Sequence, residues 1–128
     1  MKITDIELNV KSIQNVQKGR IPPSSPRCNA RHSDCFVYVL SGEAVYTFEN
    51  KSYIANADDI IYLSHKSTYS INVTDENYTF IYIDFLFENN TNTVFSNKIY
   101  KSKSFSVHKS DFEKLYNFWK FGKKKKKI

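Results

Sequence analysis

The chain has 128 residues, which is enough for one domain with a single core. Its 16% aromatic residues, with only three glycines and three prolines, favour an ordered β-rich domain and argue against disorder. The net charge of +6 depends on five lysines at residues 123–127, so we expect a nearly neutral body, a solvated basic tail at residues 123–128 and no nucleic-acid surface on this chain.

The first segment, residues 1–26, is predicted to be an N-terminal strand followed by an arm. Apolar residues between positions 3 and 10 suit one edge strand. Three prolines at positions 22, 23 and 26 fix φ and exclude a helix or a central strand there. No apolar run reaches the length of a membrane span and no secretory signal opens the chain, so we expect a cytoplasmic protein with no membrane partner.

Short β-strands separated by polar turns fill the middle of the chain, residues 27–107. The unbroken apolar run at 35–40 is typical of a strand that is buried on both faces, and Ser41-Gly42 ends it with a turn. Strands are predicted at residues 35–40, 44–48, 53–55, 60–63, 69–73 and 78–87, with short pieces at 99–100 and 105–107. Strands of this length and spacing indicate a sandwich or barrel.

A helix is predicted at residues 108–122. Ser110 and Glu113 have the spacing of a capping box, and Gly122 is a natural stop. One apolar face of this helix comprises Phe112, Leu115, Tyr116 and Trp119. Because so short a helix is marginal alone, this face must pack against either the barrel or a second copy of the chain.

The order of these motifs resembles the effector-binding half of AraC-type bacterial transcription regulators. The resemblance rests on Arg27, Arg31, Asp34, residues 37–42, Tyr46, residues 59–63, Tyr69, residues 82–85, and Phe112-Glu113-x-Leu115-x-x-x-Trp119. It implies an all-β, cupin-like (jelly-roll) barrel with one C-terminal helix. It also implies an N-terminal arm that closes over a small effector, a dimer formed through the helix, and DNA binding by a helix-turn-helix domain. That domain would need about 100 further residues, so we expect either a cut piece or a frame that ends early.

Side chains suited to a sugar lie on the strands that would border the barrel cavity. Arginine and aspartate make charge-assisted hydrogen bonds to hydroxyls, and aromatic rings cover C–H faces. The ligand-binding residues are predicted to be Arg31, Asp34, Tyr38, Tyr46, Tyr69, Tyr82 and Asp84. Two alternatives stay open: the tyrosines can be ordinary core, and Arg31 with Asp34 can be a structural ion pair. A buried Asp84 would need Arg27 or Arg31 as its partner.

Catalysis is not expected, and no cofactor or metal is predicted. The three histidines, at positions 32, 65 and 108, do not form a His-x-His pair with a nearby glutamate, and His65 is expected to be exposed in a turn. The predicted function is a metal-free sensor for a small effector of the carbohydrate type. The alternatives are a small metal-dependent cupin enzyme, such as a sugar isomerase or epimerase, and an orphan dimerisation module that inactivates a full-length regulator.

Overall fold

The computed structural model describes residues 10–87, 96–101 and 106–125. Two antiparallel β-sheets face each other, and one helix covers the outer side of the larger sheet. The elements are β1 (Val10–Arg20), β2 (Arg27–Cys28), β3 (Asp34–Ser41), β4 (Glu43–Phe48), β5 (Lys51–Asn56), β6 (Ile60–Leu63), β7 (Tyr69–Asn72), β8 (Thr79–Phe87), β9 (Lys98–Tyr100) and α1 (Ser106–Lys125).

The larger sheet has the strand order β1-β8-β3-β6-β9. Its centre follows from the sequence, because β3 and β8 are long apolar strands that pair along most of their length. The strands predicted at 35–40, 60–63, 78–87 and 99–100 are confirmed within a few residues. Eleven residues of the predicted N-terminal segment form β1, which pairs with β8 at the sheet edge.

The smaller sheet has the order β2-β7-β4-β5, and it confirms the strands predicted at 44–48, 53–55 and 69–73. The β4–β5 hairpin closes through Glu49 and Asn50, both with positive φ, because Phe48 pairs with Lys51. The predicted turn at Gly42 is also confirmed. There a φ of 74° and the close backbone of Asn77 leave no room for a side chain.

Two apolar clusters occupy opposite faces of the larger sheet. The inner cluster fills the space between the sheets, with Val37, Tyr46 and Tyr78 among its fully buried members. The outer cluster lies under α1 and contains Val16 and Ile81. Since successive residues of a strand point to opposite faces, β8 contributes Phe80 and Tyr82 to the inner cluster and Ile81 and Ile83 to the outer one.

The terminal helix is longer than the sequence predicted. It begins at Ser106, four residues before the expected N-cap Ser110, and it passes through Gly122 to Lys125. The predicted short strand at 105–107 is therefore wrong for residues 106 and 107, which belong to α1. The face from Phe112 to Trp119 packs against the outer apolar cluster, and a helix held in this way tolerates one glycine that costs about 1 kcal/mol.

Some predictions lie outside the described residues: the strand expected before Val10, residue 105 of the short piece predicted at 105–107, and the last residues of the basic tail. Within the described part of the chain, no helix has the length and apolarity needed to cross a bilayer.

Candidate functional site

Arg31 is the centre of a polar group on the inner face of the larger sheet. Its Nη2 forms an ion pair with Asp84, and its Nη1 donates to the Tyr69 hydroxyl at 2.9 Å. Two backbone hydrogen bonds with Ser67 and Lys66 hold the Arg31 segment against the β6–β7 turn. The expectation that Asp84 would be paired with an arginine is confirmed.

Asn15, Gln17 and Tyr82 extend this group towards β1. The Asn15 amide donates to the Tyr82 hydroxyl at 3.3 Å, and the Gln17 amide donates to Asn15 at 3.0 Å. Asn15 pairs with Asp84 across the β1–β8 ladder, so the two side chains share the inner face. We call Asn15, Gln17, Arg31, Tyr69, Tyr82 and Asp84 the inner polar cluster.

The inner polar cluster contains one polar group that the protein does not satisfy. The Nε of Arg31 is buried and has no hydrogen-bond partner among the described residues. An unmade hydrogen bond from a buried charged donor costs about 1–3 kcal/mol. The Nε–H of Arg31 is therefore an unused hydrogen-bond donor, while Nη1 and Nη2 are bonded to Tyr69 and Asp84.

The protonation states in the inner polar cluster are set by burial and by Arg31. Burial alone would lower the pKa of Arg31, but Cys35, Tyr69 and Asp84 raise it above its ordinary value, so the guanidinium stays charged. Burial raises the pKa of Tyr69 and of Tyr82, and both phenols stay neutral. Burial also raises the pKa of the neighbouring Cys35 thiol, which is therefore not a nucleophile at neutral pH.

Asp34 does not join Arg31, and the alternative of a structural Arg31–Asp34 ion pair is wrong, because Arg31 pairs with Asp84. Asp34 pairs with Phe85 across the ladder and shares the outer face with it, whereas Asp84 pairs with Cys35 on the inner face. Its buried carboxylate accepts hydrogen bonds from the Tyr62 hydroxyl at 2.7 Å and from the His65 backbone N–H at 3.1 Å. His65, expected to be exposed, is half-buried with Nδ1 3.2 Å from Asp34.

Tyr38 and Tyr46 are also placed away from the inner polar cluster. Tyr38 points outward, where its ring packs on Phe112 and its hydroxyl donates to Asp58. Tyr46 lies within the inner apolar cluster with its hydroxyl bonded to that of Tyr78. Of the seven predicted ligand-binding residues, four come together: Arg31, Tyr69, Tyr82 and Asp84.

The predicted dimerisation face is used inside the molecule. Phe112 is buried in the outer apolar cluster, and the partly buried Leu115, Tyr116 and Trp119 pack against the same cluster. The large apolar residues that α1 does expose are Phe118 and Phe121. An apolar stripe with helical spacing predicts that one face of a helix is buried, but it does not identify the surface that covers that face. In this protein the larger sheet covers it.

Sequence reasoning missed Asn15 and Gln17, which lay in the predicted arm. The available signal was short: Asn15-Val16-Gln17 alternates polar and apolar residues, as a strand with one buried face does. Within the described residues, no three His, Cys, Asp or Glu side chains lie close enough together to hold a metal ion. His32 is exposed, and His108 lies on α1 beside Asp111.

No protein-family model and no curated protein matches the chain. Among solved structures, it resembles a putative ethanolamine utilization protein Q from Salmonella typhimurium (18% identity, 55% of this chain and 55% of that chain, TM-score 0.50). It also resembles the EutQ protein of Clostridium difficile (17% identity, 56% of this chain and 55% of that chain, TM-score 0.51). A predicted oxalate decarboxylase from Thermotoga maritima aligns at 22% identity over 58% of this chain and 67% of that chain, with a TM-score of 0.51.

These similarities concern the fold alone, because all the identities are low. The alignment spans little more than half of the two ethanolamine utilization proteins. The predicted all-β, cupin-like barrel with one C-terminal helix is confirmed.

Proposed function

We propose that the chain is the effector-binding domain of an AraC-type transcription regulator and that a small, neutral, hydroxyl-rich molecule of the sugar class binds the inner polar cluster. The observation that carries this proposal is the unused Nε–H donor of Arg31. It is buried without a hydrogen-bond partner among the described residues, while the other two nitrogens of the guanidinium bond to Tyr69 and Asp84. A ligand oxygen that accepts this hydrogen bond removes the cost of leaving it unmade.

The charge of the inner polar cluster favours a neutral ligand. Arg31 and Asp84 compensate each other, the amides of Asn15 and Gln17 are neutral, and the raised pKa of Tyr69 keeps its phenol protonated. A phosphate or carboxylate would need a second cation, which this group of residues does not supply. A sugar needs both donors and acceptors, and amide, carboxylate and phenol groups provide both.

Aromatic rings stand next to these polar groups. Tyr82 and Phe80 lie on one face of β8 with their ring centroids 6.0 Å apart, and the Tyr69 ring belongs to the inner apolar cluster. Such rings cover the flat C–H faces of a sugar while the hydroxyls bond to the polar groups around them.

A route from the ligand to the helix runs through β1. Asn15 and Gln17 belong to the inner polar cluster, whereas Val16, between them, packs under α1, and Lys18 lies 5.0 Å from the Tyr116 ring centroid. A ligand that binds Asn15 would therefore bias the position of β1 and, through it, α1. The helix-turn-helix domain that reads DNA would respond to this bias, provided that the ligand binds the two arrangements unequally.

The experiment is thermal unfolding of the chain against sugars, sugar acids and divalent metals, with a chelator arm. A sugar at about 100 times its dissociation constant should add about 2.7 kcal/mol of stability. The same sugar should have no effect on Arg31→Leu, whereas Asp34→Asn, altered on the opposite face, should still respond. A fall in unfolding temperature on adding the chelator would contradict the proposal and favour the metal-dependent enzyme.

A further inference from the structure

The outward side of α1 combines exposed aromatic residues with lysines. Phe118 is 78% exposed and Phe121 is 61% exposed, the two highest values among the large apolar side chains described. We call the following surface the basic-aromatic face: Lys114, Asn117, Phe118, Lys120 and Phe121, which line an open recess of about 540 Å³. We propose that this face docks onto an anionic lipid surface, with the two phenylalanines entering the headgroup layer.

The positive charge around the basic-aromatic face indicates which kind of partner binds it. Residues 109–127 contain eight lysines against Asp111 and Glu113 only, whereas residues 1–108 carry no net charge. A second copy would bring two such positive segments together, and like charges repel. An anionic bilayer surface attracts them, and each lysine near it strengthens binding about fivefold.

The exposed phenylalanines favour a lipid surface over nucleic acid as the partner of this face. A DNA duplex satisfies lysines through its phosphates, but it offers little apolar surface to cover Phe118 and Phe121 unless base pairs are unstacked. The boundary between headgroups and acyl chains accepts aromatic rings directly and leaves lysines in the polar layer. The pairing of exposed rings with lysines on one helix side is typical of such surface contacts.

The arrangement also spares the fold. Phe112 and the partly buried Leu115, Tyr116 and Trp119 attach the opposite side of α1 to the larger sheet, so docking requires no unfolding of the helix. The inner polar cluster lies on the other face of that sheet, and the lipid contact does not depend on the proposed effector site. The helix lies on the surface in this arrangement and does not span the bilayer.

The test is flotation of the full chain with vesicles at physiological salt, comparing equimolar phosphatidylserine and phosphatidylcholine with phosphatidylcholine alone. Binding to the anionic vesicles and weak binding to the neutral ones are expected. Replacing both phenylalanines (Phe118→Ser with Phe121→Ser) should weaken binding about a hundredfold, since each buried ring contributes about tenfold. The matched control is Ile54→Ser, an exposed apolar residue on β5, which should bind like the unaltered chain.

Five results would overturn the proposal. The chain could fail to bind anionic vesicles, or it could bind neutral ones equally well. The double phenylalanine variant could bind like the unaltered chain, which would show that residues 123–127 act alone as a basic tail. Finally, sedimentation could show self-association that the double variant abolishes, or duplex DNA could displace the vesicles, which would assign the face to a second copy or to nucleic acid. Unfolding temperatures of both variants confirm that they remain folded.

Discussion

The two faces of the larger sheet are both covered, but they are built differently. Under α1 the sheet presents Val16, Tyr38 and Ile81 to Phe112, and this contact is apolar apart from its rim. Between the sheets, an apolar cluster of similar burial gives way at one end to Arg31 and Asp84. The helix-covered face has the packing of a structural core, and the inner face combines a core with a group of polar side chains.

The difference shows where a buried polar group points to function. The carboxylate of Asp34, on the helix-covered side, accepts hydrogen bonds from Tyr62 and His65 and so belongs to a satisfied structural network. Arg31, on the inner side, is fixed by Asp84 and Tyr69 and still keeps a buried Nε–H without a protein partner. Asp59 Oδ1, just before β6, is also buried without a hydrogen-bond partner among the described residues, so an unsatisfied atom alone does not mark a site. The candidate site is distinguished by an unsatisfied donor that lies within a group of polar and aromatic side chains.

The largest expected change in stability comes from a substitution in the apolar contact between α1 and the larger sheet. Phe112→Ala should lower the free energy of unfolding by about 3 kcal/mol, because a buried aromatic ring is lost from between α1 and Tyr38. Phe118→Ala, on the exposed side of the same helix, should change it by less than about 0.5 kcal/mol. Chemical denaturation of both variants measures this, and equal losses would contradict the assignment of the two sides of α1.

Two aspartates on opposite faces give the next comparison. Asp34→Asn should cost about 2 kcal/mol of stability, since the amide oxygen lacks the negative charge that strengthens the hydrogen bonds from Tyr62 and His65 to Oδ1. It should leave ligand affinity unchanged. Asp84→Asn should cost about 1 kcal/mol but weaken the effector at least tenfold, because Arg31 loses its partner. Denaturation and calorimetric titration separate the effects, and a reversed pattern would exchange the roles of the two faces.

Inside the inner apolar cluster, a smaller effect is expected from Tyr78→Phe. It removes one hydroxyl of the Tyr46–Tyr78 hydrogen bond and leaves the buried Tyr46 hydroxyl unpaired, at a cost of about 1 kcal/mol. Tyr53→Phe, on the edge strand β5, should have no measurable effect. If Tyr78→Phe gained stability, the hydroxyl pair would have to serve something other than the fold.

The smallest expected effect is a loss of stability at alkaline pH, which is absent at neutral pH. Burial raises the pKa of Tyr69 and of Tyr78 above the ordinary value of 10.0. Above pH 10 the unfolded chain therefore binds fewer protons than the folded chain, so stability should fall as pH rises through this range. Free energies of unfolding at increasing pH test the sign, and Tyr78→Phe should reduce the slope. Constant stability would contradict the burial of these phenols.

The sequence predicted the strands well because their signals are local. Alternation along β4 and the apolar run of β3 identify strands without reference to distant residues. The helix bounds were missed, since α1 begins before the cap signal at Ser110 and continues past the stop signal at Gly122. Each of these local signals is worth only about 1 kcal/mol. The ion pairs were harder still. Asp34 and Asp84 are equally available to Arg31 in sequence, and only the β3–β8 register puts them on opposite faces.

The dimer and the AraC-type role remain predictions of the sequence. The four residues predicted for a dimer contact pack against the larger sheet. Among the side chains of α1 that the structure describes, residues 108–122, the large exposed apolar ones are Phe118 and Phe121. The apolar stripe on α1 correctly predicted that this helix face is buried. It did not predict the surface that buries it, which is the outer face of the larger sheet. Like β8, the edge strand β1 contributes to both faces, since Asn15 points inward and Val16 points towards α1.

The most direct test of the account is aromatic NMR of the tyrosines during titration with the stabilising sugar. Tyr69 and Tyr82, on the inner face, should shift first and in proportion to occupancy. Tyr38 and Tyr62, whose hydroxyls bond to Asp58 and Asp34 on the outer face, should stay in place. Shifts confined to Tyr38 and Tyr62 would put the ligand on the wrong side of the sheet and contradict the central claim.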